Sequence, residues 1–259
     1  MPSDYSSIGF PVASPESLKQ LAERGAEYGE RIPVRGGAYS RWSPGGGAEI
    51  WVHLDRRGEP IGINPHFASD NRMRVTLKSR VPDRRGPMDG AFWLEQCDGE
   101  RCPFVFSAPD YARCRDLKLP AVVELQLSAF AHHIEAYATD ADFAQSLPRK
   151  PGLASESLIP SGTFEPGGKP IIPPKSEIII TGHVLEADTI TNGATKVAFQ
   201  WARVRTFGAV LDVVTDPTIL HGKLVPGGVV FGMFWVSGRV PDYQPPAKPG
   251  LLDRVFGKG

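Results

Sequence analysis

The chain has 259 residues and a formal net charge of zero, from 29 basic and 29 acidic side chains, with 28 glycines and 25 prolines. That length suits one large domain or two small ones, the charge balance excludes a globally basic binder of nucleic acid or anionic membrane, and the glycine and proline share favours short strands and turns. No run approaches the ~18 apolar residues of a membrane span. The start, MPSDYSSIGFPV, lacks the basic and apolar regions of a signal peptide, and three cysteines do not make a disulfide framework. A cytoplasmic α+β protein, predominantly antiparallel β, is the expectation.

Tyr5 to Val12 reads as a short strand. Ser14 then suits an N-cap with Pro15 at the first helical position. Leu18, Leu21, Ala22 and Gly25 form an apolar stripe at helical spacing, with Lys19, Glu23, Arg24 and Glu27 outside it. This helix is expected to end near Gly29, before Pro33. Ala48 to Asp55 alternates with period two: Ala48, Ile50, Val52 and Leu54 face one way, Glu49, Trp51, His53 and Asp55 the other. Ser43-Pro44-Gly45-Gly46-Gly47 and Arg56-Arg57-Gly58 supply reversals on either side. Ala38 to Trp42 and Pro60 to Asn64 become the neighbouring strands of an antiparallel meander. Strand, helix and three further strands over residues 5–67 resemble the βαβββ unit of the vicinal-oxygen-chelate (glyoxalase-like) family. The resemblance implies a metal-binding His, Gln or Glu on the first strand, where Ile8 to Val12 offers none.

Arg72 to Val81 alternates again, with Met73, Val75, Leu77 and Val81 on one face and Arg72, Arg74, Lys78 and Arg80 on the other. Such a row solvates an edge strand or faces an anion such as nucleic acid. Strands at Ala91 to Gln96 and Pro103 to Phe106 flank a turn carrying Cys97 and Cys102. With Cys114 downstream, these thiols are candidates for a metal, although structural zinc wants a fourth ligand and tighter pairs. Leu119 to Tyr137 fits both a helical seam and an alternating strand. Val122-Val123 and the fresh capping box at Thr139-x-x-Asp142 favour the strand.

Residues 147–175 hold seven prolines and read as a stiff linker after a domain at 1–146. Residues 176–241 then form a small β unit, with strands at 177–188, 198–206, 209–215 and 229–240. Gly182, Gly232 and Gly238 sit inside those strands as bulge or bend points. The layout resembles an OB-fold barrel. Phe199, Trp201, Arg203 and Arg205 fall on one of its strand faces, a mixture that stacks bases and contacts phosphates. The tail 242–259 carries Leu251, Leu252, Val255 and Phe256 at the spacing of a short amphipathic helix, a candidate motif for a protein partner.

No phosphate loop, nucleophile elbow or HExxH helix is present. The acid–base and metal candidates are Glu49 and His53 on one strand face and His133 and Glu135 on another, provided the two strands meet. The sequence thus points to a binding or adaptor module without a cofactor. The alternatives are a glyoxalase-like metal-dependent enzyme and a nucleic-acid-binding module acting through the C-terminal barrel.

Overall fold

A computed structural model of the chain describes residues 3–82, 86–99, 101–146, 153–164, 170–172, 174–241 and 243. The first element differs from the strand expected at 5–12. Ser6–Ile8 is a 3-10 turn, stitched by Ser6 Oγ to the Ser3 carbonyl at 2.9 Å. Gly9 closes it at φ +79, where a Cβ would stand 2.7 Å from the Asn192 side chain. A left-handed residue pressed against another strand breaks the extended path that Phe10 and Val12 suggest. Helix α1, Pro15–Tyr28, starts where the cap was expected. Ser14 Oγ accepts from the Ser17 amide at 3.1 Å, and Ser17 Oγ accepts from the Ser14 amide at 2.9 Å. This reciprocal cap satisfies two of the helix's orphan N–H groups.

Four antiparallel strands follow in sequence order: β1 Glu30–Val34, β2 Gly37–Gly45, β3 Ala48–Leu54 and β4 Pro60–Phe67. Leu21, Ala22 and Gly25 of α1 are buried on this meander. The approach is close enough that a Cβ on Gly25 would lie 2.7 Å from Val52 Cγ2. Every residue of β3 is buried. Its Ile50 and Val52 face joins an apolar cluster with Phe10, Trp42 and the barrel residues Phe130, Phe199 and Val214. Its Trp51 face packs with Tyr39 and Met88.

The remaining strands are β5 Met73–Pro82, β6 Gly90–Gln96, β7 Phe104–Ser107, β8 Ala121–Tyr137, β9 Ser157–Pro160, β10 Thr163–Phe164, β11 Pro170–Ile172, β12 Glu177–Thr191, β13 Ala198–Thr206, β14 Ala209–Thr215, β15 Leu220–His221 and β16 Val229–Arg239, with helix α2 at Asp140–Ser146 between β8 and β9. Two long strands organise them. β8 and β16 pair antiparallel from Tyr137↔Val229 to Gln126↔Arg239. The early residues of β8 pair with β5, and Ser128 to Phe130 pair in parallel with β14. β16 meets β12 over Val229 to Trp235 and β7 at Ser237. The pairings close two rings that share the β8–β16 wall. One runs through β5, β6 and β7, the other through β12, β13 and β14.

Closure removes sheet edges that would otherwise template aggregation. The four strands expected for a self-contained C-terminal barrel are present, and their ring is completed by β8 from the other side of residues 147–175. That stretch contributes β9, paired with β12. One apolar core runs from Val75, Phe92 and Phe106 to Val184, Val204 and Val213, so strands from both expected domains bury their faces together. The sheet-rich α+β class is what the chain builds. Among the described residues no helix is long and apolar enough to cross a membrane.

Candidate functional site

The period-two face of β3 supplies the densest polar cluster, and it is an interior one. Glu49 and Arg239 meet at 3.0 Å (Oε2 to Nη1), each side chain only 6% exposed. Trp51 Nε1 donates to the same Glu49 oxygen at 2.9 Å. The guanidinium of Arg239 lies 4.6 Å from the centroid of the Trp51 ring, and that of Arg41 lies 5.8 Å from it. Burial works to raise the Glu49 carboxyl, and Arg239, with His66 and the Trp51 N–H behind it, outweighs burial and holds it below the usual value. Arg239 Nε also lies 3.8 Å from Asp110, which Arg113 binds at 3.0 Å. Burial raises Asp110 despite both arginines.

His66, opposite Glu49 in the register, contacts Ser237 Oγ at 2.9 Å and Gln126 Oε1 at 3.3 Å. Burial lowers its pKa to about 4, partly offset by Glu49 and reinforced by Arg239. His53 lies 3.5 Å from Asp89 through Nδ1 and 3.1 Å from Asn64 Nδ2 through Nε2. Asn64 Nδ2 also donates to Asp89 at 3.0 Å. These groups span the seam between the meander and the barrel. Their partners in Asp110, Arg113 and Arg239 arrive from distant parts of the chain, beyond the reach of any local pattern.

His133 and Glu135 do not join Glu49 and His53. They pair with each other at 3.0 Å on the outer face of β8. The Tyr137 hydroxyl donates to the second Glu135 oxygen, and His221 of β15 sits opposite Glu135 in parallel register. Among the described residues no three His, Cys, Asp or Glu side chains form a metal-binding group. Cys97 lies beside Thr76 and Cys102 beside the Leu158 carbonyl, while Cys114 is buried, with its thiol pushed up to about 12 by burial.

The proposed nucleic-acid residues are largely engaged within the protein. Phe199 is in the core, edge-on to Phe67 at 6.0 Å. Trp201 Nε1 donates to the buried Asp212 at 3.0 Å. Arg203 meets Asp212, Asp70 and Glu186, and Arg205 meets Glu156 at 2.9 Å. On β5, Lys78 pairs with Glu95 and Arg80 donates to the carbonyls of Cys114, Arg115 and Leu117, while just before it Arg72 donates to those of Ser69 and Asn71. Arg74 is exposed. Leu251, Leu252, Val255 and Phe256 lie outside the described residues.

A different feature presents unfilled apolar surface. Ile159, Ile179 and Met233 align in register across β9, β12 and β16, and His133 continues the row on β8. Ile159 is 44% and Met233 49% exposed. The register shift at Met233–Phe234 leaves His132 without a partner across the pair, a bulge that turns it outward beside His133. His132 is tied to Asp4 at 2.9 Å. Ile159, Ile179, Met233 and His132, together with Phe234 and Glu177, line a groove of about 120 Å³. Sequence patterns missed it because its walls come from four strands that are adjacent only in the folded sheet.

Set against known proteins, the chain matches no family model, no curated protein and no solved structure.

Proposed function

We propose that the protein is a binding module that seats one bulky apolar side chain of a partner polypeptide in the groove between β9, β12 and β16. The observation that carries this reading is the row Ile159–Ile179–Met233, aligned across three strands, with Ile159 and Met233 open to solvent. The volume suits a Leu, Met or Phe anchor of the kind that dominates small interfaces. Glu177 stands in the groove wall without an ion pair among the described residues, so an Arg or Lys beside the anchor complements it. Groups with catalytic chemistry, Glu49, His53 and Asp110, lie instead in the sealed seam with protein partners.

A panel of labelled peptides, each placing Leu, Met or Phe next to Arg, tests this by fluorescence anisotropy on the full chain. At least one should bind, its Arg→Glu counterpart should bind roughly tenfold more weakly, and Met233→Asp should abolish binding. Failure of the whole panel, with the protein self-associating through this face, would make a second copy the occupant. Failure with a monomeric protein would end the reading. Oligonucleotide binding that falls steeply with salt and is lost in Trp201→Ala would favour the nucleic-acid alternative instead.

A further inference from the structure

His183, on β12, has a carboxylate against each ring nitrogen. Nδ1 lies 2.8 Å from Glu156, just before β9, and Nε2 lies 2.9 Å from Asp140, the first residue of α2. A neutral imidazole can donate from one nitrogen alone, so the other would turn a lone pair toward a carboxylate. Both contacts are satisfied only by the imidazolium. Arg205, opposite His183 in the β12–β13 register, donates to the same Glu156 oxygen at 2.9 Å. From β16 the neighbour is Val229, which carries no charge. The groups facing His183 are therefore Glu156, Asp140 and Arg205.

The same corner is stitched by uncharged bonds. Thr181 Oγ1 donates to the Ala154 carbonyl, and Thr206 Oγ1 donates to the Ser157 carbonyl at 2.8 Å. Glu156 and Arg205 also wall an open cleft of about 480 Å³ with Arg72 and Asp98.

We infer that His183 is a pH-sensitive clasp, which as an imidazolium ties α2 and the segment leading into β9 to the barrel and on losing its proton loosens both. Burial works to lower the His183 pKa, and the bonds to Glu156 and Asp140 outweigh it, so the value lies above 6.5. A raised histidine contributes stability that is full below its unfolded pKa and is lost as pH rises through the folded one. Glu156 sets the acid limit. Burial works to raise its pKa, and Arg205 and His183 outweigh burial and lower it, so its share is lost as pH falls through that lowered value. The clasp thus holds between these two limits and opens on the alkaline side. Because β9 carries Ile159, opening would also disturb the groove, a consequence that rests on the binding reading above.

Amide hydrogen exchange of the full chain, expressed as protection factors across the NMR titration of His183, tests the clasp without any partner. Protection of residues 140–146 and 154–160 should fall about threefold as His183 deprotonates, the scale of partly exposed ion pairs. His183→Gln should show the lower protection at every pH, and Asp140→Asn should move the transition to lower pH. Protection that stays flat through the titration, or a midpoint unmoved by Asp140→Asn, would overturn the inference. Should His183→Gln fail to fold, Asp140→Asn decides it alone. Absence of peptide binding at every pH, with the protection transition present, would count against the groove reading only.

Discussion

Two places in this molecule use the same three groups, and they differ in how deeply the arginine is sunk. At the seam, Glu49 accepts from Trp51 while Arg239 binds the carboxylate and covers the indole. On the second ring, Asp212 accepts from Trp201 at 3.0 Å, and Arg203 binds Asp212 with its guanidinium 5.5 Å from the Trp201 ring centroid. Arg239 is sealed, whereas Arg203 is 18% exposed and divides itself among Asp212, Asp70 and Glu186. The carboxylates respond in opposite directions. Glu49 is held low by Arg239, which among the described residues it shares only with Asp110, whereas burial raises Asp212 although Ser69 and Arg203 oppose it. An aromatic–arginine pair is thus no sign of a nucleic-acid site by itself, because here it neutralises buried carboxylates in both settings.

The largest effect should come from breaking the sealed set. Arg239→Met leaves Glu49 buried without its cation and should cost about 3–5 kcal/mol in urea unfolding, the usual penalty for orphaning a buried charge. A cost below about 1 kcal/mol would show that water reaches Glu49. The acid response should belong to the same region. His66 has its pKa depressed, so its contribution is present above the unfolded value of 6.5 and is lost as pH falls through the folded value of about 4. Between pH 6.5 and 4 that amounts to about 3 kcal/mol, and His66→Gln should flatten this limb of the stability curve.

At the rim, Arg203→Met should cost about 1–2 kcal/mol, because Asp212 keeps its bonds from Ser69 and Trp201. A cost equal to that of Arg239→Met would erase the distinction between the two regions. Met233→Asp, on the exposed row, should change stability by less than about 0.5 kcal/mol. A larger loss would mean that the row is covered by the chain itself.

How much of this could be read from the sequence follows the range of each interaction. The α1 cap was legible because Ser14 and Pro15 act within one turn, although the reciprocal bond from Ser17 went unread. The alternation of β3 showed its two faces, but not that Glu49, Trp51 and His53 face a second buried layer, since the layer above them comes from other strands. The Trp201–Arg203 face was visible, and its partner Asp212 lies only 9 residues from Arg203, on the next strand of a hairpin. Arg239 reaches Glu49 across 190 residues, and no local pattern encodes such a pairing. Closure of the second ring was hidden for the same reason, because β8 joins β14 in parallel from the other side of the proline-rich stretch. Periodicity left β8 open between helix and strand, and Val122-Val123 with the capping box at Thr139 pointed to the strand that forms, while its role as the wall shared by two rings depends on partners that lie on both of its edges.

The most direct measurement is a pair of double-mutant cycles by urea unfolding at pH 7, Glu49→Gln with Arg239→Met and Asp212→Asn with Arg203→Met. If sealing is what separates the two sets, the Glu49–Arg239 coupling should be about 2 kcal/mol or more and the Asp212–Arg203 coupling under about 1 kcal/mol. Equal couplings, or additive substitutions at the seam, would contradict it.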